Sequence, residues 1–209
     1  MDGNWQILLF NGLQIHSNNL NPVLVIMAGG KSSRMKRDKA LLPFKGYSSL
    51  AEYQYKRLQP FFSEVYISAK NNKFDFDVTV IEDYFNDSSP LVALVSIFET
   101  LKKVDELFIL SVDAPFVTEE IIAKLYNELE DSTDVAVSKS NNGLEPLCGI
   151  YRRGVVNEAK KMLASNQHRL QSLLEKVNTK EVFFSNSSLF MNLNYPEDYE
   201  EAKLFSSKS

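Results

Sequence analysis

The sequence predicts an α/β protein with one mostly parallel central sheet. Short apolar runs of strand length alternate along the chain with longer segments whose apolar residues recur at helical spacing. The runs 23–27 and 107–112 are apolar almost throughout, which is typical of parallel strands buried on both faces. Strands that alternate with helices favour a sheet covered by helical layers.

The order of the elements begins with Pro22, which has no N–H and therefore suits the entrance to the strand at 23–27. Apolar residues spaced three to five apart predict a helix at 48–61. Two short runs rich in β-branched and aromatic residues then predict strands, with a turn between them at Asn71-Asn72-Lys73. These two strands lie at 65–68 and 78–81.

The middle of the chain continues the alternation. Pro90 suits a first helical turn, and the apolar face that follows predicts a helix at 91–102. The buried strand at 107–112 comes next, and Thr118 is placed to cap a further helix whose first turn carries two glutamates. Two more strands, joined through an Asn-Asn-Gly turn, are predicted at 135–137 and 147–151.

The last part of the chain is predicted to add helices, one strand and one extended segment. Helices are predicted at 155–163 and 170–177, and a strand at 181–184. Residues 190–194 are expected to be extended. Pro196, followed by two acids, opens the final helix.

Composition limits the class of protein. The chain has 209 residues, enough for one domain with a sizeable core, and its 44% hydrophobic and 24% charged residues are typical of a globular protein. Its 23 Lys and Arg against 27 Asp and Glu give a net charge of −4, so no overall charge attracts nucleic acid. The single cysteine, Cys148, permits no internal disulfide and no cysteine-based zinc site.

Residues 1–21 differ from the rest of the chain, because Asn and Ser crowd them after one short apolar run. We expect 1–21 to be a loosely ordered extension and 22–209 to form one domain. The first residues lack the basic start and the cleavage site of a signal peptide, and no apolar run approaches the roughly 20 residues that span a bilayer. We therefore expect a cytoplasmic protein.

A cationic loop follows the first strand. Gly29 and Gly30 are adjacent, and without Cβ atoms their backbone N–H groups can approach a phosphate closely. The loop fits neither the GxGxxG dinucleotide pattern nor the P-loop pattern. Arg34, as a planar fork, and Lys39, as a point charge, are suited to neutralise a triphosphate. The other cations of the loop fit a solvated surface: Lys31, Lys36 and Arg37.

Two aspartates follow predicted strands, at the edge where ligands collect in an open α/β sheet. Asp113 follows the strand at 107–112, and a carboxylate there suits Mg²⁺, which takes one or two carboxylates plus phosphate oxygens. A turn or capping aspartate before Pro115 is the alternative. Asp83 follows the strand at 78–81 and has the same argument in a weaker context.

The residues of the cationic loop carry a resemblance to a known family. Met27-Ala28-Gly29-Gly30-Lys31-Ser32-Ser33-Arg34-Met35, followed by Asp38-Lys39-Ala40-Leu41-Leu42, resembles the signature LAGGxSxRMGxDKALL of the molybdenum cofactor guanylyltransferases, the MobA family. Further matches are Ile81-Glu82-Asp83, Asp113-Ala114-Pro115-Phe116, Glu145-Pro146-Leu147-Cys148 and Asn192-Leu193-Asn194-Tyr195-Pro196-Glu197-Asp198. The resemblance covers about 23–204. It implies a single-domain, Rossmann-like three-layer sandwich of the nucleotide-diphospho-sugar transferase type.

The same resemblance implies an activity and a set of site residues. The activity is transfer of GMP from GTP to the terminal phosphate of molybdenum-molybdopterin, with Mg²⁺ held by Asp113. Arg34, Lys39 and Asp113 are the implied catalytic residues, and Asn192 and Asn194 are placed on the phosphate or pterin side. The implied nucleotide-binding residues are Met27, Ala28, Gly29, Gly30, Lys39, Ser68, Asp83 and Asp113.

The alternatives stay open at this stage. The chain departs from the family pattern at Lys36, Ser49, Ser68 and Tyr195, and Ser68 replaces an Asn that often contacts the base. A cytidylyltransferase or a sugar-phosphate nucleotidyltransferase shares the fold, although Gly29 with Gly30 favours the guanylyl branch. A nucleotide-binding adaptor without catalysis is the alternative outside the enzymes. The expected partners are small-molecule substrates, with transient contacts to other cofactor-biosynthesis proteins and acceptor molybdoenzymes, and neither nucleic acid nor a membrane.

Overall fold

Nine strands and six α-helices are formed by the residues that the computed structural model describes, which are 6–10, 13–17, 22–29, 37–83 and 89–205. The strands are β1 (Gln6–Phe10), β2 (Leu13–Ser17), β3 (Val23–Met27), β4 (Glu64–Ala69), β5 (Val80–Glu82), β6 (Glu106–Ser111), β7 (Val135–Ser140), β8 (Gly143–Arg152) and β9 (Thr179–Phe183). The helices are α1 (Leu50–Leu58), α2 (Pro90–Thr100), α3 (Glu119–Asn127), α4 (Val155–Ala164), α5 (Leu170–Leu174) and α6 (Pro196–Phe205). Short 3₁₀ turns occupy Lys39–Leu41, Gln59–Phe61 and Ser187–Phe190.

Seven of these strands form the central sheet, in the order β5-β4-β3-β6-β8-β7-β9. The pairs β5-β4, β4-β3, β3-β6 and β7-β9 are parallel, whereas β6-β8 and β8-β7 are antiparallel. The continuous apolar runs of β3 and β6 lie in the middle of this sheet, where both faces are covered. The predicted mostly parallel sheet is therefore confirmed.

Successive residues of β3 point into two separate cores. Leu24 and Ile26 belong to the core beneath α1, α3 and α6, whereas Val23, Val25 and Met27 belong to the core beneath α2, α4 and α5. This alternation is the period of two that an extended strand imposes. The domain is thus a three-layer sandwich, as the family resemblance implies.

The carboxyl ends of four neighbouring strands meet at one edge, because β5, β4, β3 and β6 run parallel. Met27 at the end of β3 is in register with Ser68 of β4 and with Ser111 of β6, and Ser68 is in register with Ile81 of β5. The glycine loop and both candidate aspartates follow from this edge, which is where ligands bind in open α/β sheets.

Most element boundaries differ from prediction by one or two residues, and three of the differences follow from specific residues. The helix predicted at 48–61 is α-helical only to Leu58, because Pro60 has no N–H with which to continue the helical hydrogen bonds. The helix predicted at 170–177 ends at Leu174, whose carbonyl accepts a hydrogen bond from the Thr179 hydroxyl at 2.8 Å. Strands β7 and β8 are longer than predicted and meet at Gly143, which has a positive φ of 118°.

The segment 1–21 contains the hairpin of β1 and β2, which pair antiparallel in a sheet of their own, and β2 lies against α3. The apolar run 6–10 is thus a strand; the division into a loosely ordered extension and a domain stays a prediction. Across the described parts of the chain, no helix is both long and apolar enough to traverse a bilayer.

Candidate active site

An ion pair between Lys39 and Asp113 lies at the centre of the site. The Lys39 ammonium contacts Asp113 Oδ2, and the two side chains are only 17% and 13% exposed. Lys39 begins a 3₁₀ turn whose N-cap is Asp38, since Asp38 Oδ1 accepts from the Ala40 N–H at 3.1 Å. Residues 74 positions apart in sequence are therefore brought together.

The Asp113 carboxylate is oriented by its own strand. The Ser111 hydroxyl donates to Asp113 Oδ1 at 2.5 Å, so both carboxylate oxygens have partners. The backbone is held as well: the Val112 N–H donates to the Met27 carbonyl at 3.0 Å and the Leu193 N–H donates to the Asp113 carbonyl at 2.9 Å. Ser111 is the last residue of β6, two positions before Asp113, and this proximity is the sequence signal by which Ser111 could have been found.

Asn194 reaches the same ion pair from the other end of the chain. Its Oδ1 accepts from the Lys39 ammonium at 3.2 Å. Asp198 in the first turn of α6 fixes this position, because its Oδ2 accepts from the N–H groups of Asn194 and Tyr195, each at 2.8 Å. Asn192 is placed nearby through its backbone, whose carbonyl accepts from the Asn194 N–H at 2.9 Å.

A second group of candidate residues lies at the ends of β3, β4 and β5. Gly29, Ser68 and Asp83 line a cavity of about 80 Å³, together with Met27, Ser89, Pro90, Ala93, Ser111 and Leu147. Gly29 passes so close to Asp83 that a Cβ at this glycine would lie 3.8 Å from Asp83 Oδ2. The candidate nucleotide residues of three separate strands therefore share one cavity, as the topology predicts.

The Asp83 carboxylate is the electrostatically unusual group of this cavity. Asp83 Oδ1 is buried and has no hydrogen-bond partner among the described residues. Burial raises the pKa of the Asp83 carboxyl above its ordinary value, against the opposing effect of Lys70. A buried acceptor of this kind is costly unless a donor reaches it, so the cavity is suited to a ligand that presents N–H or O–H groups.

Lys73 links the two ends of the glycine loop, a role that the sequence does not reveal. Its ammonium donates to the Ala28 carbonyl at 3.2 Å and also forms an ion pair with Asp38. The Ala28 N–H donates to the Ser68 carbonyl at 2.8 Å, so that N–H is committed to the fold. Backbone donors for a phosphate must then come from Gly29 onward. Gly30 and Arg34 lie outside the described residues, and their predicted roles stay predictions.

A larger cavity of about 490 Å³ lies on the α1 and α3 side of the Asp113 loop. It is lined by Lys45, Tyr53, Arg57, Phe61, Pro115, Phe116, Val117, Thr118, Glu119, Ser188, Leu189 and Met191. None of the candidate site residues that the structure describes lines it. The smaller cavity is the one that the described candidate residues Met27, Gly29, Ser68 and Asp83 line.

Comparison with known families decides the relationship. Residues 24–182 match the MobA-like NTP transferase domain. The chain belongs to this family. It is also 37% identical over 188 residues to the molybdenum cofactor guanylyltransferase of Campylobacter jejuni subsp. doylei, covering 89% of this chain and 96% of that protein. The guanylyltransferase of Helicobacter pylori strain P12 is 33% identical over 192 residues, covering 87% of this chain and 94% of that protein.

Family membership confirms the resemblance, the fold and the enzyme class that the sequence predicts. Among solved structures, the molybdopterin-guanine dinucleotide biosynthesis protein A from Archaeoglobus fulgidus superposes with a TM-score of 0.77 at 19% identity, covering 90% of this chain and all of that one. At this identity the likeness supports the fold alone. The chain is accordingly a nucleotidyltransferase of the MobA-like family, and its individual site residues rest on the geometry described above.

Proposed function

We propose that this chain transfers GMP from GTP to the terminal phosphate of molybdenum-molybdopterin, giving the molybdopterin guanine dinucleotide cofactor and pyrophosphate. The observation that carries the proposal is the Lys39–Asp113–Asn194 cluster, which lies one strand away from the glycine loop at the carboxyl edge of the sheet. This arrangement brings a cation, a carboxylate and a side-chain amide to one place. Membership of the MobA-like family and the names of the relatives support the same reaction.

The residues around Asp113 fit Mg²⁺ held jointly with the substrate. Within the described ranges no three His, Cys, Asp or Glu side chains cluster as a metal cage, whereas Asp113 offers one carboxylate. Mg²⁺ in nucleotide enzymes takes one or two carboxylates and fills its remaining positions with phosphate oxygens and water. Asp113 would hold the metal, and the metal when bound would neutralise charge on the phosphates.

The protein's own groups supply orientation and charge. In the transfer, an oxygen of the acceptor phosphate bonds to the α-phosphorus of GTP, the bond from that phosphorus to the β-phosphate bridging oxygen breaks, and pyrophosphate leaves with the electron pair. Such a step asks little covalent chemistry of a protein, so positioning and electrostatic stabilisation dominate. Lys39 would exchange its contact with Asp113 for a phosphate oxygen. Arg34 would add a second cation.

We assign base recognition to Asp83. Guanine presents two adjacent donors, N1–H and the N2 amino group, whereas cytosine and adenine present a ring acceptor at the corresponding edge. A buried carboxylate whose Oδ1 has no described partner is complementary to that donor pair and repels a ring acceptor. Ser68, 2% exposed in the same cavity, replaces the larger Asn of the family and leaves discrimination to Asp83.

The test is incubation of the protein with Mg²⁺, molybdenum-molybdopterin and each of GTP, CTP and ATP, with pyrophosphate and the dinucleotide product measured separately. We expect pyrophosphate and product in equal amounts with GTP only. Product with CTP would assign the chain to the cytidylyl branch, and nucleotide binding without pyrophosphate would make it an adaptor.

The cytoplasm, where GTP is available, is the proposed compartment, and transient contact with acceptor molybdoenzymes would deliver the product.

A further inference from the structure

Gln54, in the middle of α1, is a fully buried polar side chain that contacts the Asp113 loop. Its Nε2 donates to the carbonyls of Val112 at 3.2 Å and Ala114 at 3.1 Å, and lies 3.4 Å from the carbonyl of Ser111. These carbonyls flank Asp113 on both sides. A single amide group thus binds the backbone immediately before and immediately after the carboxylate that the proposed reaction needs.

Arg57, one helical turn after Gln54, fixes the direction of that amide. Its Nε donates to Gln54 Oε1 at 2.8 Å, and its Nη1 donates to the carbonyl of Val117 at 2.8 Å. A guanidinium can only donate, so the oxygen of Gln54 must face Arg57 and the amino group must face the loop. The two side chains therefore hold the loop at three carbonyls, those of Val112, Ala114 and Val117.

The burial of the Arg57 guanidinium carries a free-energy penalty for the fold. Burial lowers the pKa of the Arg57 guanidinium, with Tyr53 and Glu119 opposing the shift. Arg57 Nη2 is buried without a hydrogen-bond partner among the described residues. Apolar side chains of similar volume would fill the same space without these penalties. A buried charge that stability does not require is more readily explained by the geometry that it maintains.

We propose that Gln54 and Arg57 are positioning residues that hold the Asp113 loop in the conformation that binds Mg²⁺ with the nucleotide. Neither side chain contacts Lys39, Asn194 or the base cavity in any described interaction, so both act on the site through the loop backbone. This inference rests on the proposed function, because it assigns the loop a metal-dependent role. The proposal predicts that a loosened loop weakens Mg²⁺ binding more than it weakens nucleotide binding.

The experiment compares Gln54→Met, Arg57→Lys and wild type. Thermal shift by GTP is measured without Mg²⁺ and across an Mg²⁺ titration, and steady-state kinetics give kcat and KM for GTP. In Gln54→Met we expect the Mg²⁺ concentration for half of the metal-dependent shift to rise about tenfold, as is typical when a group orienting a metal ligand is removed. GTP binding without metal should change less than about twofold, and kcat should fall more than KM rises. Arg57→Lys keeps the charge but loses the fork, so its effects should be smaller and in the same direction.

Val156→Ala is the matched control for a general loss of stability. Val156 is a buried residue of α4 on the opposite face of the sheet, so its truncation to alanine should lower the melting temperature without disturbing the Asp113 loop. Its Mg²⁺ half-saturation should equal that of wild type. Should Gln54→Met, folded by circular dichroism, bind Mg²⁺ with GTP as wild type does, the positioning role is wrong. A Val156→Ala shift as large as that of Gln54→Met would also overturn it.

Failure of the proposed function has a different signature. In that case wild type itself shows no Mg²⁺-dependent response to GTP. Hydrogen exchange of the peptide spanning Ser111 to Val117 then still decides the structural part: exchange should be faster in Gln54→Met and unchanged in Val156→Ala. Equal exchange in all three proteins would show that Gln54 does not hold the loop.

Discussion

The two carboxylates of the candidate site, Asp113 and Asp83, differ in how their oxygens are hydrogen-bonded. At the proposed phosphate end, formed by Lys39, Asp113 and Asn194, both oxygens of Asp113 have partners, Ser111 and Lys39. Asn194 Oδ1 accepts a further hydrogen bond from the same lysine. At the proposed base end, the cavity lined by Gly29, Ser68 and Asp83, the Oδ1 atom of Asp83 is buried with no partner among the described residues, and burial raises the pKa of this carboxyl. The carboxylate of Asp113 has partners without a ligand, whereas Oδ1 of Asp83 has none among the described residues and would gain one from a bound nucleotide.

This difference corresponds to the chemistry expected at each end. A paired carboxylate and lysine can exchange partners, so that the cation meets a phosphate and the anion meets a metal, without leaving either charge exposed to an apolar interior. An unpaired buried acceptor stabilises only those ligands that bring donors, because a ligand acceptor would add repulsion to an existing desolvation penalty. We therefore expect the proposed phosphate end to favour any nucleoside triphosphate and the proposed base end to select among them.

The largest effect is expected from Asp113→Ala. Removing the carboxylate removes the proposed metal ligand, and kcat should fall by about a thousandfold or more, as loss of a main electrostatic contributor does. GTP affinity in the absence of Mg²⁺ should be retained or improved, because Lys39 loses its competing partner. Pyrophosphate release gives kcat, and calorimetry with GTP in metal-free buffer gives the affinity. Retained Mg²⁺-dependent transfer would return Asp113 to the role of a turn residue.

A somewhat smaller loss is expected from Lys39→Met, which keeps the aliphatic stem and removes the charge. The binding of GTP and the rate of transfer should weaken together, with kcat/KM lower by about a hundredfold, because the ammonium contacts phosphate in both the ground state and the transition state. Lys160→Met is the matched control, since Lys160 lies on α4 and forms an exposed ion pair with Glu99 of α2. Kinetics of Lys39→Met equal to those of Lys160→Met would make Lys39 a surface cation.

The positions of Asp113 and Asp83 could be predicted from the sequence, because each comes within two residues of the end of a strand and parallel strands end at one edge. Lys39 could be predicted from residue type and from the family signature. The partners of these residues could not. Lys73 lies in a polar turn with no pattern to mark it, and its contacts with Ala28 and Asp38 exist only because the loop after β4 folds beside β3.

Gln54 illustrates a second limit of sequence reasoning. A glutamine in the middle of an amphipathic helix is expected to face solvent, since polar residues occupy the outer face. It is instead fully buried, because the loop after β6 presents carbonyls that need a donor. Tertiary hydrogen bonds explain the burial of Gln54, and the periodicity of the sequence does not predict it.

A moderate effect at the base end is expected from Asp83→Asn. The amide is isosteric but lacks the charge that strengthens hydrogen bonds to guanine, so GTP should bind about tenfold more weakly, which corresponds to about 1.4 kcal/mol. The decisive comparison uses ITP, which lacks the N2 amino group: wild type should prefer GTP to ITP, and the variant should lose most of that preference. Deoxy-GTP is the companion probe, because a selective loss there would place Asp83 on the ribose. Glu82→Gln, at the exposed neighbouring carboxylate, should leave all affinities unchanged.

The smallest effect is on stability without ligand, and it should have opposite signs at the two ends. Because the folded pKa of Asp83 lies above the unfolded value, the folded protein binds more protons between these pKa values, and the free energy of unfolding falls as pH rises through that window. Asp83→Asn removes this penalty and should raise the melting temperature by about 1 to 2 °C at neutral pH but not at acid pH. Asp113→Asn should lower it, because Lys39 keeps its burial and loses its counter-ion. Thermal denaturation of the three proteins across pH, without nucleotide, measures both signs; two shifts in the same direction would contradict the division of the site into a paired and an unpaired carboxylate.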